Sequence, residues 1–111
     1  MRVISQDGTM DVPYEISSFS MSVGKYENVE HVVIFCYNDS TSRGTKMAEY
    51  GSKEKAKKAM EMLRIAYENN EFYHHIANSE HFKEFTQALS EEMFKKATSE
   101  YFQFPTEEEL E

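Results

Sequence analysis

The sequence predicts an α+β protein: an antiparallel β-sheet from the N-terminal half, two C-terminal helices packed on it, and a short final strand. Before Gly51, apolar residues recur with the two-residue period of strands, and after it they recur at helical spacing. Phe102-Gln103-Phe104 alternates again just before Pro105, which is typical of a last strand. We expect one domain over residues 1–105, followed by a solvated acidic tail over 106–111.

A hairpin is predicted at the N-terminus. Residues 2–6 and 9–13 have strand-like sequences, and Asp7-Gly8 between them tolerates the positive φ angles of a tight turn. Pro13 has no amide hydrogen to donate to a neighbouring strand, so the second strand is expected to be at a sheet edge or to end there.

Three further strands are predicted before Gly51. Residues 17–23 alternate apolar and serine side chains, which indicates a half-buried strand, and a turn is expected over 24–28. Residues 30–37 are rich in β-branched and aromatic side chains and predict a central strand buried on both faces. Residues 45–50 form the next strand after a polar loop.

The first predicted helix has clear signals at both ends. Ser52 is a good N-cap, since its hydroxyl can accept a hydrogen bond from an early helix amide. Apolar residues recur at helical spacing as far as Tyr67, so the helix is expected to run to Tyr67 or Glu68, with Asn69-Asn70 as its stop.

A second helix is predicted to begin at Asn78 or Ser79 and to end near Tyr101. The segment between the two helices, residues 71–77, fits either a helical continuation or a short ordered connector.

Composition restricts the classes of partner. The chain has 111 residues and a net charge of −8, so we expect no binding to nucleic-acid duplexes, which rests on Lys and Arg. Binding of a small anion in a local pocket and binding to a basic surface of a partner both remain possible functions.

The single cysteine, Cys36, rules out an intrachain disulfide and is expected to be a buried apolar residue. No signal peptide or membrane-length apolar run is visible, so we expect a cytoplasmic protein without a membrane partner.

The segment around the helix junction is the first candidate for ligand binding. Flat rings and an amide can stack on a base and form hydrogen bonds with it, and the junction offers Phe72, Tyr73, His74, His75 and Asn78. The alternative is that Phe72 and Tyr73 only seal the junction between the helices.

Cations in an acidic chain form the second candidate. Arg43 and Lys46 lie in a segment rich in hydroxyl groups and backbone amides, which suits a phosphate, although an ordinary solvated hairpin loop has the same composition. Arg64 is a further phosphate donor, unless it is simply paired with Glu68 one helical turn later.

A metal-dependent hydrolase that uses His74, His75 or His81 is the least favoured hypothesis. Adjacent histidines point in different directions on a regular element, and zinc sites usually have tighter ligand spacing. With no catalytic signature, we expect a protein that is not an enzyme and needs no metal or cofactor.

The opening of the chain, Met1–Gly8 (MRVISQDG) and Asp11–Glu15 (DVPYE), resembles that of small proteins from phages and prophages of Gram-positive bacteria. Residues 47–64 and 102–105 fit the same resemblance. The layout of an N-terminal antiparallel sheet with two C-terminal helices is similar to the Thoeris anti-defence sponge family. That resemblance implies a protein that sequesters cyclic ADP-ribose-type signals, or cyclic oligonucleotides, without cleaving them, and that works as a dimer or higher oligomer.

Two functional hypotheses follow. The first is a phage-type, non-enzymatic binding protein that sequesters a nucleotide-derived immune signal as a homodimer or higher homo-oligomer. Exposed sheet edges and the 7 Met and 8 Phe residues favour such association. The alternative is an acidic inhibitor that mimics nucleic acid, with the Glu107–Glu109 run, and blocks a host protein.

Overall fold

The computed structural model describes residues 1–39, 43–76 and 101–111, with the backbone alone for residues 73–76. The helix predicted from Asn78 onward lies outside the described residues and stays a prediction. Six strands and one α-helix are described: β1 (Arg2–Ile4), β2 (Asp11–Pro13), β3 (Ser18–Tyr26), β4 (Val29–Tyr37), β5 (Thr45–Tyr50), α1 (Lys53–Ile76) and β6 (Tyr101–Gln103). Short 3-10 helices cover Tyr14–Ile16 and Glu108–Leu110.

The α+β class is confirmed, but the expected single antiparallel sheet is wrong. The described strands form two three-stranded sheets with the orders β2-β1-β6 and β3-β4-β5. The second sheet is antiparallel throughout, whereas β6 pairs parallel to β1. Pairing the last strand with the first ties the two ends of the chain into one sheet.

The N-terminal hairpin forms around Asp7-Gly8 as predicted, with β1 and β2 antiparallel. Gly8 takes a φ of 78°, which glycine adopts without the steric cost of a side chain. Buried Ser5 organises the turn: its Oγ donates to Asp7 Oδ1 at 2.7 Å and accepts from the backbone amides of Thr9 and Met10. Pro13 ends the edge strand β2, so that prediction is confirmed.

The turn makes stability depend on pH in the acid range. Asp7 accepts from the Thr9 hydroxyl, the Ser5 hydroxyl and the Thr9 amide, and these bonds lower its pKa from 3.8 to about 2. Because the unfolded state binds the proton first, stability that is present above pH 3.8 is lost as the pH falls towards 2. We expect the melting temperatures of wild type and Asp7→Asn to converge over this range. An equal gap at pH 5 and pH 2 would contradict the assignment.

The β3–β4 hairpin is longer than predicted. Instead of a turn over residues 24–28, β3 continues through Gly24 to Tyr26, and Glu27-Asn28 form the turn. Their φ angles of 50° and 66° are those of a type I′ turn, whose twist matches the flanking strands. Asn28 was the local signal, because asparagine tolerates this conformation better than most residues.

The central strand β4 lies between β3 and β5, as predicted, but it is not buried on both faces. Val32, Ile34 and Cys36 are buried on the face that joins the core. The alternate residues His31, Val33 and Phe35 on the outer face are only half-buried. The buried Cys36 agrees with its predicted role as an apolar core residue.

Helix α1 begins as the sequence predicts and ends much later. The Ser52 Oγ accepts from the amide of Lys55 at 3.2 Å, which is the expected N-cap bond. The predicted stop at Asn69-Asn70 is wrong, because α1 continues to Ile76. Asn70 is only 4% exposed, so its place in the helix follows from packing, which overrides its modest helix propensity.

Gln6 joins the two sheets. Its backbone amide donates to the Met47 carbonyl at 2.7 Å, and its side-chain oxygen accepts from the Glu49 amide at 3.0 Å. Its Nε2 donates to the Pro105 carbonyl at 3.1 Å, which also accepts from the buried Tyr50 hydroxyl at 2.7 Å. A side chain that follows β1 therefore connects β5 with the C-terminal segment.

Residues 106–111, expected to form a solvated acidic tail, are mostly exposed, but their 3-10 helix contacts α1. Leu110 is 6% exposed and belongs to the core cluster. Glu107 Oε1 accepts from the Gly51 amide at 2.8 Å and from Lys55 Nζ at 3.3 Å, which lowers the pKa of Glu107. A Cβ on Gly51 would stand 2.6 Å from that oxygen, so glycine permits this approach.

Candidate functional site

A cleft of about 770 Å³ lies between β3, α1 and the 3-10 helix at Tyr14–Ile16. This volume is within the range of small-molecule sites. The strand contributes Phe19 and Met21, which pair with residues of the buried face of β4, so the cleft is on the helix side of the sheet. Pro13 and the 3-10 helix turn the chain so that Tyr14 borders the same space.

Aromatic rings form one wall of the cleft. Tyr14 stacks on Tyr67 of α1 with a centroid distance of 4.1 Å and an interplanar angle of 24°. Phe19 extends the group, with its centroid 6.1 Å from that of Tyr14. Burial, followed by the charge of Glu71, raises the pKa of Tyr67, whose hydroxyl also donates a hydrogen bond to Glu71. Such a wall offers π-faces to a flat ligand.

Charged side chains line the rim. Lys57 and Arg64 supply two cations from α1, and Glu61 and Glu15 supply two carboxylates. Arg64 Nη2 is 3.7 Å from Glu61 Oε1, which is an exposed ion pair rather than a hydrogen bond. The carboxylate of Glu15 accepts from the N-terminal amine of Met1, and this bond lowers its pKa.

The electrostatics of the rim therefore favour an anion more than the net charge of the chain implies. Glu15 is neutralised by the N-terminal amine, and Glu61 is balanced by Arg64. Among the described residues, Lys57 forms no ion pair, so its ammonium group remains available to a ligand.

Of the predicted ligand-binding residues, the three cations lie in the described part of the chain and in different places. Arg64 lines the cleft. Lys46 is paired in register with Phe35 on the outer face of the sheet, and its Nζ is 3.1 Å from Glu49 Oε2, which lowers the pKa of Glu49. Arg43 is exposed and precedes β5.

The predicted recognition segment begins in the last turns of α1. Phe72 is 49% exposed and does not border the cleft. Tyr73, His74 and His75 belong to the same helix by their backbone. Asn78 lies outside the described residues, so the segment as a whole stays a prediction.

No group of three or more His, Cys, Asp or Glu side chains among the described residues is placed to hold a metal ion. His74 and His75 are consecutive residues of α1, described by their backbone alone. His81 lies outside the described part of the chain.

Sequence reasoning missed the aromatic wall and Lys57. Phe19 and Tyr67 each belong to an apolar stripe, but nothing local indicates that both rings approach Tyr14. Tyr14 follows Pro13 in a segment without periodicity, so only the tertiary fold shows that it stacks on a ring 53 residues later.

Comparisons with protein-family models, with curated proteins and with solved structures find no match for this chain. Within the described residues, none of the helical structure combines the length and the apolar character needed to cross a lipid bilayer.

Proposed function

We propose that this protein is a non-enzymatic binding protein that sequesters a nucleotide-derived signal, of the cyclic nucleotide or cyclic ADP-ribose type, in the cleft between β3 and α1. The observation that carries the proposal is the pairing of a stacked aromatic wall with two cations at one rim. A nucleotide needs both features, because its base stacks on π-faces and its phosphate binds Lys and Arg. Phage origin, action against host defence and a cytoplasmic location belong to the same proposal.

The cleft suits retention of an intact ligand. Its lining side chains are rings, apolar groups, cations, two paired carboxylates and the Ser17 hydroxyl, which donates to the Pro13 carbonyl at 2.6 Å, and the Cys36 thiol is buried. The second predicted helix and the contributions of Phe72 to Asn78 remain part of this proposal.

The test is thermal melting of the purified protein against a panel of cyclic nucleotides and cyclic ADP-ribose isomers. A ligand that binds only the folded state adds about 2.7 kcal/mol of stability at 100 times its dissociation constant. We expect a clear upward shift with at least one member of the panel, and recovery of that ligand unchanged after the protein is denatured.

Variants of α1 assign the shift to the cleft. Arg64→Ala and Tyr67→Ala each remove a proposed contact, and we expect each to weaken binding by about tenfold. Lys58→Ala is the matched control, since Lys58 is an exposed cation of the same helix that does not line the cleft. If Arg64→Ala and Lys58→Ala reduced the ligand-induced rise in melting temperature equally, the rise would reflect the total positive charge of α1. That result would contradict the proposal.

Nucleic-acid mimicry is the second proposal, and the structure changes how it is tested. Glu107 and Glu111 contact Lys55 at 3.3 and 3.4 Å, and Glu109 accepts from the Thr106 hydroxyl at 3.0 Å, so three of the four glutamates after Pro105 are engaged within the molecule. Deleting residues 106–111 would also remove the buried Leu110. The better variant is Glu108→Gln, which neutralises an exposed carboxylate. If this variant no longer binds a host protein in a pull-down, and its melting temperature is unchanged, the result would favour mimicry.

A further inference from the structure

The outward edge of β3 is a long strand edge with no partner in the described part of the chain. All nine residues from Ser18 to Tyr26 pair with β4, and β3 is the terminal strand of its sheet. A strand in this position presents a row of unpaired amide and carbonyl groups.

The hairpin turn decides which backbone groups point to that edge. Tyr26 and Val29 close the type I′ turn, so they exchange hydrogen bonds across the hairpin. Because such pairs alternate along an antiparallel ladder, the even-numbered residues of β3 bond to β4. The odd-numbered residues, Phe19, Met21, Val23 and Lys25, direct their amides and carbonyls outward.

Most of the protective features that an edge strand can carry in its own sequence are absent from β3. It contains no proline, and its register with β4 runs without a bulge from Ser18 to Tyr26. Lys25, near the end, is its only charged residue. Its apolar side chains are accessible too, since Val23 is 50% exposed and Tyr26 70%. These features are those of a strand that pairs with another chain.

We propose that two copies of this chain pair through their β3 edges, antiparallel about Ser22, to form one six-stranded sheet. The nine-residue strand is self-complementary in this register. Met21 faces Val23 of the second copy and Phe19 faces its Lys25 on the helix side, while Ser20 faces Gly24 on the outer side. The odd-numbered residues, which carry the free backbone groups, become the hydrogen-bonded pairs.

The charges at the contact are compatible with a second copy of the chain. Each chain has a net charge of −8, but neither strand brings a carboxylate to the contact. The two Lys25 residues lie six residues apart along the pairing, about 20 Å, which is beyond the screening length at physiological salt. The contact therefore joins two acidic molecules where like charges do not meet. It requires no ligand and does not depend on the proposed function.

Cysteine crosslinking tests the register. Ser22 would lie opposite Ser22 of the second copy in a non-hydrogen-bonded pair. The Cα separation of such a pair, about 4.5 Å, is within the range that a disulfide can span. We expect Ser22→Cys to give a covalent dimer under mild oxidation. Ser20→Cys, on the same face of the strand, is the matched control and should remain uncrosslinked. The native Cys36 is buried and does not compete.

A proline variant tests the backbone hydrogen bonds. Val23→Pro removes an amide that points outward, so the hairpin with β4 is retained while the dimer loses two symmetry-related bonds. We expect the dimer dissociation constant, measured by analytical ultracentrifugation, to rise about 30-fold. Val23→Ala keeps the amide and should change the constant far less, and circular dichroism should show that both variants are folded.

A wild-type protein that sediments as a monomer up to high micromolar concentration would overturn the proposal. So would a dimer that Val23→Pro leaves intact, or one in which Ser20→Cys crosslinks and Ser22→Cys does not.

Discussion

Replacing Phe104 with alanine is expected to lower the free energy of unfolding by about 3–5 kcal/mol. Phe104 is 2% exposed, and its backbone amide donates to the Ile4 carbonyl at 3.1 Å. Its ring meets Phe102 edge-on at 5.5 Å and Phe19 at 6.2 Å. The phenyl group thus packs between the two sheets, so alanine would leave a cavity between them.

Urea denaturation followed by circular dichroism measures the loss, at one protein concentration because self-association would add to apparent stability. Ile16→Ala is the control, since this side chain is 65% exposed and should cost less than about 0.5 kcal/mol. Similar losses for the two variants would mean that Phe104 does not hold the sheets together.

The elements that sequence reasoning predicted correctly are those specified within a few residues. Asp7-Gly8 sets its turn by backbone preference, and Ser52 caps α1 through an amide three residues away. Periodicity located the strands for the same reason, because each side chain reports the environment of its own strand face.

The elements that it missed are specified by distant contacts. Nothing near Phe102 indicates that β6 pairs parallel to β1, because the partner lies about 100 residues earlier. Asn70 carries a helix-stop signal that burial overrides. Gln6 is an ordinary polar residue by sequence, and its three bonds to β5 and Pro105 exist only in the assembled fold.

The candidate site shows the same division. Arg64 was selected as a cation on a helix, and it does line the cleft. Its aromatic neighbours come from the segment after β2, from β3 and from α1, so no sequence window contains them together. Composition can nominate residue types that suit a nucleotide, but only the packing of α1 on β4 and β5 shows which residues of α1 share a cleft with β3.

Leu110→Ala is expected to destabilise the protein by about 2–3 kcal/mol, although it lies one residue before the end of a glutamate-rich segment. The leucine is 6% exposed within the core cluster, and the 3-10 helix that carries it contacts α1. Glu107 fixes this arrangement by accepting from the Gly51 amide and from Lys55. Acidic composition makes the segment look solvated, whereas its one apolar residue anchors it.

Thermal and urea unfolding of Leu110→Ala and Glu108→Ala distinguishes a solvated tail from a segment that Leu110 anchors. If the segment were a solvated tail, both variants would unfold like wild type. If Leu110 anchors it, only Leu110→Ala loses stability, and a chain ending at Pro105 loses at least as much, because it lacks the leucine and the Glu107 carboxylate together. A truncated chain could then fail to bind a partner only because less of it is folded. Its loss of binding would therefore not by itself assign a binding role to the acidic residues.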